Sequence, residues 1–144
     1  MAGESHNENK KYQGLLTTAR SLLFKYGIKR VTVEEICEKA NVSKVTFYKY
    51  FHNKDDLVMA ILQNWLEEGV RVFTAIRDEN IPFMDKMLKL IRLKLATAQE
   101  YGDEFIDEIL GTNENLRQFY KNATMKSMEL VTDFFKEAQK EGQF

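Results

Sequence analysis

Apolar residues recur every third or fourth position along nearly the whole chain with polar residues between them, and no stretch alternates as a half-buried strand would. That pattern predicts an all-α fold of about seven helices. Tyr12, Leu15, Leu16, Ala19, Leu22, Leu23 and Tyr26 form the first stripe and predict a helix over about Asn9 to Tyr26. Gly27 stops it, and Ile28 is placed to fold back on the helix end. The preceding MAGESHNENKK is polar throughout, so residues 1–8 read as a frayed tail.

The run TVEEICEKANVSKVTFYKYFHNK, Thr32 to Lys54, holds two short helices and a tight turn. Thr32 with Glu35 three residues on is a capping box, and Val33, Ile36, Cys37 and Ala40 share one face. Asn41 tolerates the left-handed conformation that ends a helix, and Ser43 caps the next after only Val42. In that second helix, Lys44 to about Tyr50, Phe47 and Phe51 are four apart and can pin it to a core. Lys44, Thr46, Tyr48, Lys49 and Tyr50 are then left for the outer face. Helices joined this closely cross steeply, and a helix-turn-helix places its second helix in the DNA major groove. A solvated helical hairpin with surface lysines fits the same residues.

Beyond the turn, Asn53 caps a long helix with Asp55 and Asp56 in its first turn, where the helix dipole favours acidic groups. Leu57, Val58, Ile61, Leu62, Trp65, Leu66, Val70, Phe73 and Ile76 form its stripe. Pro82 starts a fifth helix running to about Gln99, with Phe83, Met87, Leu88, Ile91 and Leu95 along one face. A short helix spans about Asp103 to Leu110, and a last long one ends near Glu141 and Gly142.

Overall charge is close to neutral, with 21 Lys+Arg against 22 Asp+Glu, yet it is unevenly spread. Residues 1–54 carry 10 basic and 5 acidic side chains, a net +5, and residues 55–144 carry 11 and 17, a net −6. A basic end beside an acidic one suits contact with a polyanion at the first. The division predicts a three-helix domain over residues 1–54 and a helical lobe over 55–144.

Other chemistries find little support. There is no Gly-rich phosphate loop and no metal-spaced His/Cys set, so neither an enzyme nor a bound cofactor or metal is expected. Asp103, Glu104, Asp107 and Glu108 read as a solvated helix face. Cys37 lies on an apolar helix face, where packing is a better account than catalysis with His6 or His52. No apolar stretch is long enough to span a bilayer, no leader-like segment opens the chain, and the lone cysteine fits a reducing cytoplasm.

The order of helix, stop glycine, capped helix, turn, basic aromatic helix and long linking helix resembles the N-terminal DNA-binding domain of the TetR family of transcriptional repressors. The resemblance covers roughly Tyr12 to Leu66, with its core in ARSLLFKYGIKRVTVEEICEKANVSKVTFYKYFHNKDDLVMAIL. It implies that Lys44, Val45 and Thr46 meet bases and nearby phosphates, with Lys44 donating to guanine acceptors. It also implies that Tyr48 bonds a phosphate, that Lys54 does so at the start of the linking helix, and that Thr32 acts similarly at its cap. Ser43, Lys49 and Tyr50, the last standing where many members have histidine, complete the DNA-binding set.

The resemblance further implies a second lobe that binds a small apolar effector and contributes to a homodimer, so that two readers engage a palindromic duplex operator. Trp65, Phe73, Met84, Met87, Leu88, Ile91, Phe105, Ile109, Phe119 and Tyr120 could line its pocket, or simply pack a core. Family members commonly carry two further helices after the point where this sequence ends at EGQF, which reads as a truncated chain or a short member. Met128, Val131, Phe134, Phe135 and Ala138 then form the stripe that a dimer, or absent helices, would cover. A helical protein-interaction module, or a DNA-binding fragment without effector response, is the alternative.

Overall fold

Side-chain caps punctuate the first half of the molecule and fix where its helices begin. Thr32 Oγ1 accepts the Glu35 N–H at 3.1 Å, Ser43 Oγ that of Thr46 at 3.1 Å, and Asn53 Oδ1 that of Asp56 at 2.9 Å. Each satisfies a donor that the first turn leaves without an intrahelical partner. Asn41 closes its helix in the left-handed region at φ 55°, and Gly27 does so at φ 87°. The computed structural model describes residues 2–144, with the side chains of residues 6–111 and 113–144.

Among the described residues the fold is all-α, with helices α1 (Ala2–Tyr26), α2 (Val33–Ala40), α3 (Lys44–Tyr50), α4 (Lys54–Arg77), α5 (Phe83–Glu100), α6 (Asp103–Thr112) and α7 (Glu114–Lys140). Helix α1 starts at Ala2, so the segment read as a frayed tail is helical. Part of the reason is tertiary: the Glu8 carbonyl accepts the Tyr50 hydroxyl at 3.1 Å, and Tyr12 packs on the rings of Tyr50 and Phe51.

One continuous core joins α1 to α4 with α6 and the start of α7. Leu15, Leu23, Ile36, Phe47, Leu57, Leu62, Phe105, Ile109 and Leu116 are all essentially inaccessible within it. Phe24, Trp65, Tyr101 and Phe105 form its aromatic centre. The charge boundary at Lys54 therefore cuts across a shared core. A second, smaller cluster of Phe83, Phe134 and Ala138, with Phe73, Met87, Leu90 and Phe135 against it, binds the far end of α4 to α5 and α7.

Polar ties also cross that boundary. The Gly102 N–H donates to the Phe24 carbonyl at 2.9 Å, and the Lys29 N–H donates to Glu108 Oε2 at 2.6 Å. Asn113, whose Oδ1 caps α7, donates through Nδ2 to Asp55 Oδ2 at 2.9 Å, and Arg20 bridges Glu68 and Glu100. Glu108, expected on a solvated face, instead braces the turn that follows α1. The carboxylate accepts there from a backbone N–H of the turn, which no helix or strand engages.

Candidate nucleic-acid interface

Helix α3 is only seven residues long and could not persist alone. Burial of Phe47 at its centre and of Phe51 at its end anchors it, and a fully buried aromatic of this size contributes about 1.5–3 kcal/mol. The pinned face turns the opposite one outward. Val45 is 77% exposed and Tyr48 52% exposed, both far more than their chemistry favours in water.

Around them stand Lys44 and Lys49, each exposed and each ion-paired within the chain. Lys44 Nζ lies 2.5 Å from Glu34 Oε1 of α2, and Lys49 Nζ lies 3.1 Å from Glu8 Oε1 of α1. Hydrogen bonding to Glu34 raises the Lys44 ammonium above its ordinary value, and Lys44 in turn lowers the Glu34 carboxyl. Glu8 has the same effect on Lys49. Both ammonium groups are therefore firmly charged and poised beside the outer face of α3.

The remaining expected positions are placed differently. Thr32 and Ser43 serve as caps, with Ser43 Oγ also 3.0 Å from Thr46 Oγ1, so the three hydroxyls sit at helix starts beside the turn. Tyr50 is half-buried and turned towards α1. Lys54 points inward: its ammonium donates to the carbonyls of Ile28 at 2.6 Å and Val31 at 3.0 Å. It ties the start of α4 to the turn before α2, because those carbonyls lack helical partners and lie within reach of a half-buried lysine. A role on an outside phosphate would require these bonds to break.

The expected effector lining is not brought together. Trp65 and Phe105 are packed in the main core with Ile109, Phe119 and Tyr120 against them, and Phe73 and Met87 belong to the second cluster. Leu88 and Ile91 face solvent on α5, as does Met84. Burial raises the Tyr120 hydroxyl and the Cys37 thiol above their ordinary values, as suits packed groups. The expected stripe on α7 is also divided. Phe134 and Ala138 are buried against Phe83, whereas Met128 and Val131 stay exposed.

Two carboxylates at this surface were not singled out from the sequence, Glu8 and Glu34. Their partners are brought near only by the fold, with 41 residues separating Glu8 from Lys49. Among the described residues no group of His, Cys, Asp and Glu is arranged to hold a metal, and no helix is long and apolar enough to cross a membrane.

Residues 15–61, from the first core helix to the start of α4, match the profile of the bacterial regulatory proteins of the tetR family. The chain is 30% identical over 91 residues to the HTH-type transcriptional regulator RutR of Escherichia coli, covering 63% of this chain and 42% of that one. It is 27% identical over 135 residues to the HTH-type transcriptional regulator UidR of the same species, covering 90% of this chain and 66% of that one. Among solved structures, the regulatory protein TetR from Rhodobacter sphaeroides superposes with a TM-score of 0.78 at 23% identity, over 91% of this chain and 74% of the other. The chain spans 42% to 66% of the length of the curated relatives it matches.

Proposed function

We propose that the chain is a sequence-specific DNA-binding transcriptional regulator of the tetR family, whose profile matches residues 15–61, and that its α3 enters the major groove. The observation that carries this reading is the outer face of α3. A helix too short to stand alone is held by two buried phenylalanines so that Lys44, Val45, Tyr48 and Lys49 face outward together. An ammonium suits guanine O6 and N7, an exposed valine suits a thymine methyl, and a tyrosine hydroxyl suits a phosphate.

Control by a small apolar effector, releasing a repressor from its operator, is the accompanying proposal. The joints at Gly102, Glu108 and Asn113 support it, since a shift of α6 or α7 is transmitted directly to the turn after α1 and to the start of α4. Pairing of two copies on a palindrome finds support in the exposed apolar rows of α5 and α7. A cytoplasmic location accompanies a role on chromosomal DNA.

Fluorescence anisotropy with a duplex selected from random sequence tests the reading. Lys44→Ala and Tyr48→Phe are expected to weaken that duplex at least tenfold, the scale of one lost base or charged phosphate contact, with helicity unchanged. Full retention of binding by both variants would refute it.

A further inference from the structure

The ion pairs on α3 are selective in a way that fold stability does not explain. Lys10, Lys11, Lys25, Lys29 and Lys39, also in the basic part of the chain and exposed, form no ion pair among the described residues, and Arg20, which does, ties α1 to α4 and α5 as part of the fold. The two lysines of α3 both do, and each draws its carboxylate from a different helix: Glu34 from α2 and Glu8 from α1. Surface pairs of this kind add little to stability, because water screens them and two long side chains must be held in place. Their common property is location, on the two cations nearest the outer face of α3.

Resting on the reading of α3 as a DNA-contacting helix, we propose that Glu8 and Glu34 are specificity-determining residues that occupy Lys49 and Lys44 as internal stand-ins for phosphate. On a random duplex these lysines can gain only phosphate contacts, which supply nonspecific affinity. Reaching them costs the existing pair and brings a carboxylate close to a phosphate of like charge. On the right sequence the balance differs. An ammonium has three donors, so Lys44 can keep Glu34 while donating to a guanine edge, and Val45 and Tyr48 add contacts that no carboxylate opposes. The pairs therefore weaken random binding more than specific binding.

The test compares the native chain with Glu8→Gln, Glu34→Gln and Glu38→Gln on a selected duplex and on a scrambled duplex of the same length. Glu38 lies on α2, is exposed and makes no ion pair among the described residues, so its variant changes net charge equally without freeing an α3 lysine. Glu8→Gln and Glu34→Gln are each expected to tighten scrambled-duplex binding by about two- to fivefold, the scale of one exposed ion pair. The salt dependence should steepen by about 0.9 in log–log slope for each lysine released. The selected duplex should tighten less, so that discrimination falls.

Equal tightening by Glu38→Gln, or unchanged scrambled-duplex binding and slope in Glu8→Gln and Glu34→Gln, would overturn the proposal while leaving the DNA reader intact. A native chain that binds neither duplex would instead remove the reader itself, and this proposal with it.

Discussion

Replacing Gly27 by alanine probes the joint between the reader and the second lobe. Gly27 holds φ 87°, where an L side chain costs about 1–2 kcal/mol. A Cβ built there would lie 2.6 Å from Glu108 Oε1 and 3.3 Å from Glu104 Oε2, so the Glu108 carboxylate must move. Moving it breaks the 2.6 Å bond from the Lys29 N–H. A hydrogen bond to a charged group contributes about 1.5–3 kcal/mol, and its partly exposed setting reduces this to about 1 kcal/mol. Gly27→Ala is therefore expected to cost about 2–3 kcal/mol, or roughly 4–12 °C in Tm for a chain of this size. Glu108→Ala alone should cost about 1 kcal/mol. In the Glu108→Ala background, Gly27→Ala should cost only the backbone term, leaving a coupling of about 1 kcal/mol in the double-mutant cycle. Urea unfolding followed by circular dichroism supplies all four stabilities. A Gly27→Ala cost under about 0.5 kcal/mol, or the same cost in both backgrounds, would refute the joint.

Phe47→Ala should cost about 3–5 kcal/mol and abolish duplex binding, because it empties the position that anchors α3; retained stability in thermal unfolding would contradict that. Ser43→Ala should cost about 1 kcal/mol by removing the acceptor of the Thr46 N–H, and amide exchange at Thr46 should quicken well above that at Glu35. The lowered Glu34 carboxyl stabilises the fold above the ordinary carboxylate range, and that contribution is lost as pH falls through its lowered value. Side-chain carboxyl NMR should find the Glu34 titration shifted upward in Lys44→Met, though still held down in part by its backbone hydrogen bond, and an unchanged titration would dissolve the pair.

The fold was legible wherever its cause is local. Thr32, Ser43, Asn53, Asn41 and Gly27 act within a few residues of themselves, so helix starts and stops around α2, α3 and α4 follow from residue type and spacing. Long-range partners leave no such trace. Lys54 has the composition of a phosphate contact, yet its acceptors lie 23 and 26 residues earlier and turn it inward. Glu108 and Lys29 are 79 residues apart, and nothing near either one marks the bond. Periodicity on α5 is likewise ambiguous: Met87 and Leu90 face the second cluster, while Met84, Leu88, Ile91 and Leu95 on the same helix face solvent. Apolar spacing identifies both rows without saying which a neighbour covers.

Selection of bound sequences from a pool of random duplex DNA, run in parallel with the native chain and Lys44→Ala, tests the assignment of α3 most directly. The native chain should enrich one short motif, repeated with inverted symmetry if two copies bind together, and Lys44→Ala should lose the preference at a guanine within it. A pool that stays random with the native chain, or the same motif enriched equally by both proteins, would contradict a reader built on α3.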